Sequence, residues 1–339
     1  MSIACHQLQP VYLRQEAMWG EGRLAADFDA DVVAATAVLE NQTVNFAPLA
    51  DPDKDKVVKV EWFSDCSTTV STTCPEECDI TGGRADRNCK EYELTKCASL
   101  SFSVPVFNAD RTDNDLLRWE NEVAKLMLRK KKLLAEQVAK DTIVAIEASK
   151  GTNVYTGGIG SVSGTTTTIA AANMNLKAMS YFSMVKAKNK FASAYLLNGD
   201  NLWHDFTNAN LNAGNSDGAG DAQRAKLMKM YWDLFNMAAV SEEKTTYMID
   251  PSALALVHKA RNSAYSTTSP KIMGGKDPST RWSEDLMFLP GVKVDVKSTT
   301  TCNNDIYFDN FLVTVRYDHL FAPERCDAAN TGILKFECA

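Results

Sequence analysis

The chain has no hydrophobic run long enough to cross a membrane as a helix. Its longest stretch of apolar character, Val32 to Leu39, falls far short of the roughly 20 residues needed. The opening residues, MSIACHQLQP, lack the basic start and apolar core of a signal peptide, so synthesis in the cytoplasm, with no N-terminal piece removed, is expected. Positive charge is not in excess. The net charge is −7, which gives no support to general nucleic-acid binding by the chain as a whole. Histidine is scarce: His6, His204, His258 and His319 are scattered, and none forms a metal-type pair. The glycines of TGGIGSVSG (156–164) lack the Lys-Ser/Thr of a phosphate loop and do not match the dinucleotide pattern. Valine occupies the nucleophile position of GSVSG. Asp250, Asp277, Glu284 and Asp285 make no readable acid/base pair. The expectation is a protein that is not an enzyme, with no cofactor and no metal.

Cysteine is absent between Cys97 and Cys302, yet the chain holds nine. Cys66, Cys74, Cys78, Cys89 and Cys97 crowd one segment. Cys302, Cys326 and Cys338 lie near the C-terminus, and Cys5 stands alone. Zinc favours two close ligand pairs. Only Cys74 and Cys78 make one, with no histidine nearby. Disulfides within the segment or to a neighbour, and free thiols, are the other readings. A reducing cytoplasm opposes disulfides at synthesis, but not after release into an oxidising medium.

Proline and glycine are also missing from Asp113 to Lys150, and there the absence is constructive. The stretch is mostly Ala, Leu, Glu, Lys, Arg, Met and Gln, which favour helix. Leu116, Trp119, Val123, Met127, Leu134, Val138 and Ala145 recur at helical spacing as one apolar stripe. Thr112 or Asp113 can cap the start, and Gly151 can end the helix in the left-handed conformation, with Lys150 in the last turn. The rod is about 55 Å long and must span a domain or a subunit. A solvated face is expected for the basic run Arg129 to Lys132, turned at most towards a polyanion.

A short helix is expected over Asp29 to Asn41. Residues 56–64 and 97–107 read as strands that pair as a long hairpin, with Cys66 facing Cys97 if the pairing is symmetric. Such an arm has no core of its own and needs a neighbour to lie on. Residues 151–168 read as a Gly/Ser/Thr linker. Helices are expected at 175–190, 199–210, 222–237 and 251–261. Strands are expected at 194–197, 245–249, 286–297, 305–317 and 332–337. The class is α+β, with helices and strands segregated.

The order of parts resembles the major capsid protein of tailed bacteriophages, the Hong Kong 97 fold. So do the segments TTYMIDPSALALVHKARN (245–262), LPGVKVDVK (289–297), DIYFDNFLVTVRYDHL (305–320) and NTGILKFE (330–337). The resemblance implies an N-terminal arm (1–55), an E-loop hairpin with a Cys-rich insertion (56–107) and a P-domain spine helix with its crossover (108–168). It further implies an axial A domain (169–285) and C-terminal strands returning to the P domain (286–339). The function it implies is self-assembly into hexamers and pentamers of an icosahedral shell around double-stranded DNA. DNA would be contacted non-specifically, with portal, scaffolding and decoration proteins as partners, no membrane, and assembly in the host cytoplasm. With no scaffolding segment expected ahead of the arm, the resemblance implies a separate scaffold or none. Some members crosslink an E-loop lysine to a neighbour's asparagine beside a buried glutamate. Lys90, Lys96, Asn303 and Asn304 are of matching type, and no glutamate is matched. Stapling by Cys66, Cys74, Cys78, Cys89, Cys97, Cys302, Cys326 and Cys338 could serve instead. The rival readings are a nanocompartment shell of the same fold, a cysteine-stabilised extracellular binding module, and an enzyme of unrecognised type.

Overall fold

In the computed structural model of the chain, the described residues are 15, 30–42, 57–64, 86–106, 113–175, 178–191, 193–211, 228–251, 253–260, 271–272, 279–303, 306–321 and 331–339. Helices are α1 (Val33–Asn41), α2 (Asp113–Ala148), α3 (Ala178–Lys188), α4 (Trp203–Leu211) and α5 (Leu234–Ala239). The early strands are β1 (Val57–Ser64), β2 (Asp86–Glu93), β3 (Lys96–Val106), β4 (Gly160–Ser163), β5 (Thr166–Ile169), β6 (Tyr195–Asn198) and β7 (Lys229–Trp232). The later ones are β8 (Thr245–Ile249), β9 (Leu254–His258), β10 (Lys271–Ile272), β11 (Ser279–Asp285), β12 (Lys293–Asn303), β13 (Ile306–Phe321) and β14 (Ile333–Cys338). The fold mixes helix and sheet.

Helix α2 runs for 36 residues, about 54 Å. Trp119, Val123, Met127, Leu134, Val138 and Ala145 of the expected stripe are buried; the side chain of Leu116 lies outside the described residues. Ala124, Leu128, Ala135, Ala139, Ile143 and Ile146 widen the buried face, so the helix is packed on more than one side. Its end differs from expectation. Gly151 is not left-handed. A Cβ there would sit 2.8 Å from the backbone nitrogen of Thr331, and the Gly151 N–H donates to the Ile333 carbonyl at 2.8 Å. Glycine serves close approach at this point, not helix termination.

One sheet is antiparallel in the order β10-β11-β12-β13-β3, with β9 also paired to β13. Val104, Phe311, Val313, Val315, Val294, Val296 and Trp282 on its inner face share one core with α1 and α2. The other sheet runs β4-β5-β14-β8-β6-β7 and is mixed. Its central strands are buried on both faces. Tyr195, Leu197, Tyr247, Ile249 and Ile333 join the α2 core, whereas Leu196, Met248, Leu334 and Phe336 pack with Met179, Phe182 and Val185 of α3. Alternate residues therefore feed two cores, which is why these strands read as continuous apolar runs.

Four expectations are corrected. The strand at 57–64 pairs with β2 and not with residues 97–107; β3 instead forms the edge of the first sheet against β13. The premise for Cys66 facing Cys97 falls with it. Residues 160–169 form a β-hairpin, with Gly164 at a φ of +58° as the first residue of its two-residue turn, where a linker was expected. The helix expected over 222–237 is, in its described part, strand β7 followed by α5. Asp233 separates the two, its carboxylate accepting the Asn236 N–H at 2.9 Å. The helix expected over 251–261 is strand β9, whose buried run LALVH pairs with β13. A short apolar run does not by itself tell strand from helix. Residues 65–85, 212–227 and most of 1–29, including the expected cysteine-rich loop and arm, lie outside the described residues.

Candidate functional site

Three polar clusters fasten other elements to α2. At mid-helix Lys131 is wholly buried. Its Nζ donates to Glu284 Oε2 at 2.6 Å and to Gln15 Oε1 at 3.0 Å, and Trp282 Nε1 donates to Glu284 Oε1 at 2.8 Å. The expectation of a solvated basic run fails here: Arg129 is exposed, while Lys131 points into the core. The only sequence signal was its position on the buried arc, three residues before Leu134.

About three turns further on, His319 Nε2 lies 2.9 Å from Thr142 Oγ1, and Lys96 Nζ lies 3.2 Å from His319 Nδ1. The Thr142 hydroxyl donates to the Val138 carbonyl. Nε2 must then carry the proton, and Nδ1 accepts from the lysine. Burial, followed by the charge of Lys96, holds the His319 pKa down to about 4. The Tyr317 hydroxyl donates to Asp141 at 2.6 Å; burial and that carboxylate push the phenol pKa up.

At the helix C-terminus Lys335 meets Glu147, Glu242 and Glu337 at 3.0, 2.8 and 2.8 Å. Tyr247 donates to Glu147 at 2.6 Å, and Lys150 also pairs with Glu147. Burial disfavours the Glu147 charge, but hydrogen bonds from Lys150, Tyr247 and Lys335 outweigh it and hold its pKa below the usual carboxylate range. Burial likewise opposes the Lys335 charge, and its three carboxylates raise its pKa nonetheless. This cluster fastens the second sheet to α2. A fourth contact joins α1 to α5: buried Asp233 accepts the Ala34 N–H at 3.1 Å, satisfying one otherwise orphaned donor of the α1 first turn.

In each cluster the cation is matched to carboxylates or to a neutral acceptor. Beside α2 and the β3 edge lies an open groove of about 820 Å³, lined by Lys96, Cys97, Leu100, Leu133, Gln137 and Asp141 among others. It brings Lys96 and Cys97 together. Among the described residues no group of His, Cys, Asp and Glu could hold a metal ion, and no helix is long and apolar enough to cross a membrane.

The remaining sequence-selected residues are dispersed. Cys97 is exposed on β3, Cys302 is exposed near the end of β12, and Cys338 is half-buried on β14; all three are free thiols. Cys97 stands opposite Arg316, whereas Cys302 stands opposite Tyr307, itself opposite Val106. That register puts them about 30 Å apart, beyond disulfide reach within one chain. Cys89 lies in β2 opposite Glu61, and Lys90 opposite Val60. Asn303 pairs with Ile306 at the end of β12. Cys66, Cys74, Cys78, Cys326 and Asn304 lie outside the described residues.

No family model and no curated protein matches the chain. Solved structures similar to it come from bacteriophages. A chain of Mycobacterium phage Che8 is 14% identical, with a TM-score of 0.41, covering 87% of this chain and 91% of that one. The mature capsid of bacteriophage PhiM1 gives 9% identity and a TM-score of 0.37, covering 85% and 83%. The capsid of Ralstonia phage GP4 gives 8% and 0.37, covering 84% of each chain.

Proposed function

We propose that this chain is a major capsid protein, a structural protein without catalytic activity whose copies close into an icosahedral shell around double-stranded DNA. One observation carries the reading: among the described residues β1 and β2 pair only with each other and belong to neither large sheet. A two-stranded hairpin is marginal alone in water and gains stability when it lies on another surface. In a shell, that surface is the adjacent subunit. On this reading β1–β2 and the residues between them are the E-loop, α2 is the spine helix, and β3 with β9–β13 forms the P-domain sheet. The second sheet with α3 to α5 is the axial domain. Identical interfaces repeated around closed rotations build hexamers and pentamers. Portal, scaffolding and decoration proteins would complete the particle, assembled in the host cytoplasm.

Sedimentation of native material, with absorbance at 260 and 280 nm, tests the proposal. A megadalton species with a nucleic-acid spectrum is expected. A monomer or dimer would sink it, and a megadalton species whose cargo is enzyme would replace the phage shell with a nanocompartment.

A further inference from the structure

Helix α2 keeps one face out of both cores. Lys125 and Arg129 are exposed on it, and Lys132 and Lys140 are half-buried. At 3.6 residues per turn the four cations lie within about 80° of one another and along roughly 22 Å of the axis. Three carboxylates share the face. Glu136 lies 3.7 Å from Lys132, and Glu147 is held by Lys150, Lys335 and Tyr247, which leaves Glu122. Lys125, Arg129 and Lys140 enter no ion pair among the described residues. The apolar side chains nearest to this strip, exposed Leu133 and Val144, sit at its margin, and Leu133 lines the β3 groove.

A chain with net charge −7 thus carries, along one helix face, three cations without an ion pair among the described residues, with Glu122 and the paired Glu136 on the same face. A protein partner would need a charge-poor, apolar centre to its contact, and this face has none. Backbone phosphates need only spaced cations on long stems, because binding is driven by counterion release. We propose that this face of α2 is a sequence-independent contact for duplex nucleic acid and is the side of the chain turned towards packaged DNA. The second half rests on the capsid reading; the first does not.

The test is fluorescence anisotropy of a 30-base-pair duplex with the full chain across a salt series. The expected slope of log affinity against log salt is about −3, one phosphate per free cation. The triple variant Lys125→Gln, Arg129→Gln, Lys140→Gln should lose about tenfold or more in affinity at low salt and most of the slope. The charge-keeping variant Lys125→Arg, Arg129→Lys, Lys140→Arg should retain both. Lys186→Gln, Lys188→Gln, Lys244→Gln, placed elsewhere, should change neither. Absence of duplex binding, an unchanged slope in the first variant, or equal loss in the last would overturn the proposal. So would polyglutamate binding more tightly than the duplex, which would mark an acidic-protein contact. Sedimentation of the same preparations identifies the unassembled chain, on which the series is read because a closed shell would hide an inward face; unassembled chain without a slope that depends on these cations rejects this inference alone.

Discussion

Burying Lys131 removes a charge from water, and only the Glu284 carboxylate and the Gln15 amide make that tolerable. Glu284→Gln would leave the ammonium without its counter-charge, and a loss of roughly 3 kcal/mol in unfolding free energy is expected. The double change Lys131→Met, Glu284→Gln should cost less than the sum of the single changes, since each residue's penalty is the other's isolation. Denaturant midpoints of the three variants check this; strict additivity would mean that the pair does not interact. His319 gives the pH counterpart. Its folded pKa of about 4 lies below the ordinary 6.5, so the unfolded chain takes up the proton first as pH falls. Its contribution is nil above about pH 6.5, and stability is then lost progressively down to about pH 4, by about 3 kcal/mol in all. His319→Gln should flatten the stability–pH curve in that window relative to the parent; parallel curves would refute the assignment.

At the scale of elements, the hairpin β1–β2 is the part that, among the described residues, joins neither large sheet. Replacing residues 57–93 by a short Gly/Ser linker should leave the melting temperature of the unassembled chain within a few degrees and abolish large particles. Light scattering and calorimetry on one preparation read both effects. A collapse of the melting temperature would show that the arm belongs to the subunit core. The elements also divide by how plainly they were written. Helix α2 was legible because an unbroken helical spacing over ten turns has no other reading. Strands β7 and β9 were not, because KMYW and LALVH suit either conformation, and the choice was made by parallel pairing to β6 and by the register on β13. The hairpin partner was missed because β2 (DRNCKEYE) is polar and carries no alternation against which to recognise it.

For the whole molecule, the two cores share the second sheet, whose alternate residues feed each, and the Lys335 cluster fastens that sheet to the end of α2. Lys335→Met would remove the cation that Glu147, Glu242 and Glu337 share and leave their like charges close together, with Glu147 still paired to Lys150. Hydrogen exchange should speed up in β14 and β8 well before it does in β12 and β13. Uniform acceleration across both sheets would show that the cluster holds the global fold and not the junction.

The sequence by itself determined what depends on local spacing and composition: the long rod, its buried stripe, the mixture of helix and sheet, and strands β6, β8, β13 and β14. These follow from the periodicity of apolar side chains, which a one-dimensional pattern records. Only the tertiary structure decided what depends on partners distant along the chain. It placed β3 in the sheet and not in the arm, turned Lys131 inwards beside Glu284, put the proton of His319 on Nε2, and held Cys97 and Cys302 at opposite ends of one sheet. Each of these is a pairing across a hundred residues or more, or the consequence of one. No spacing rule specifies such pairings, because their energies depend on which surfaces meet once the chain has closed on itself.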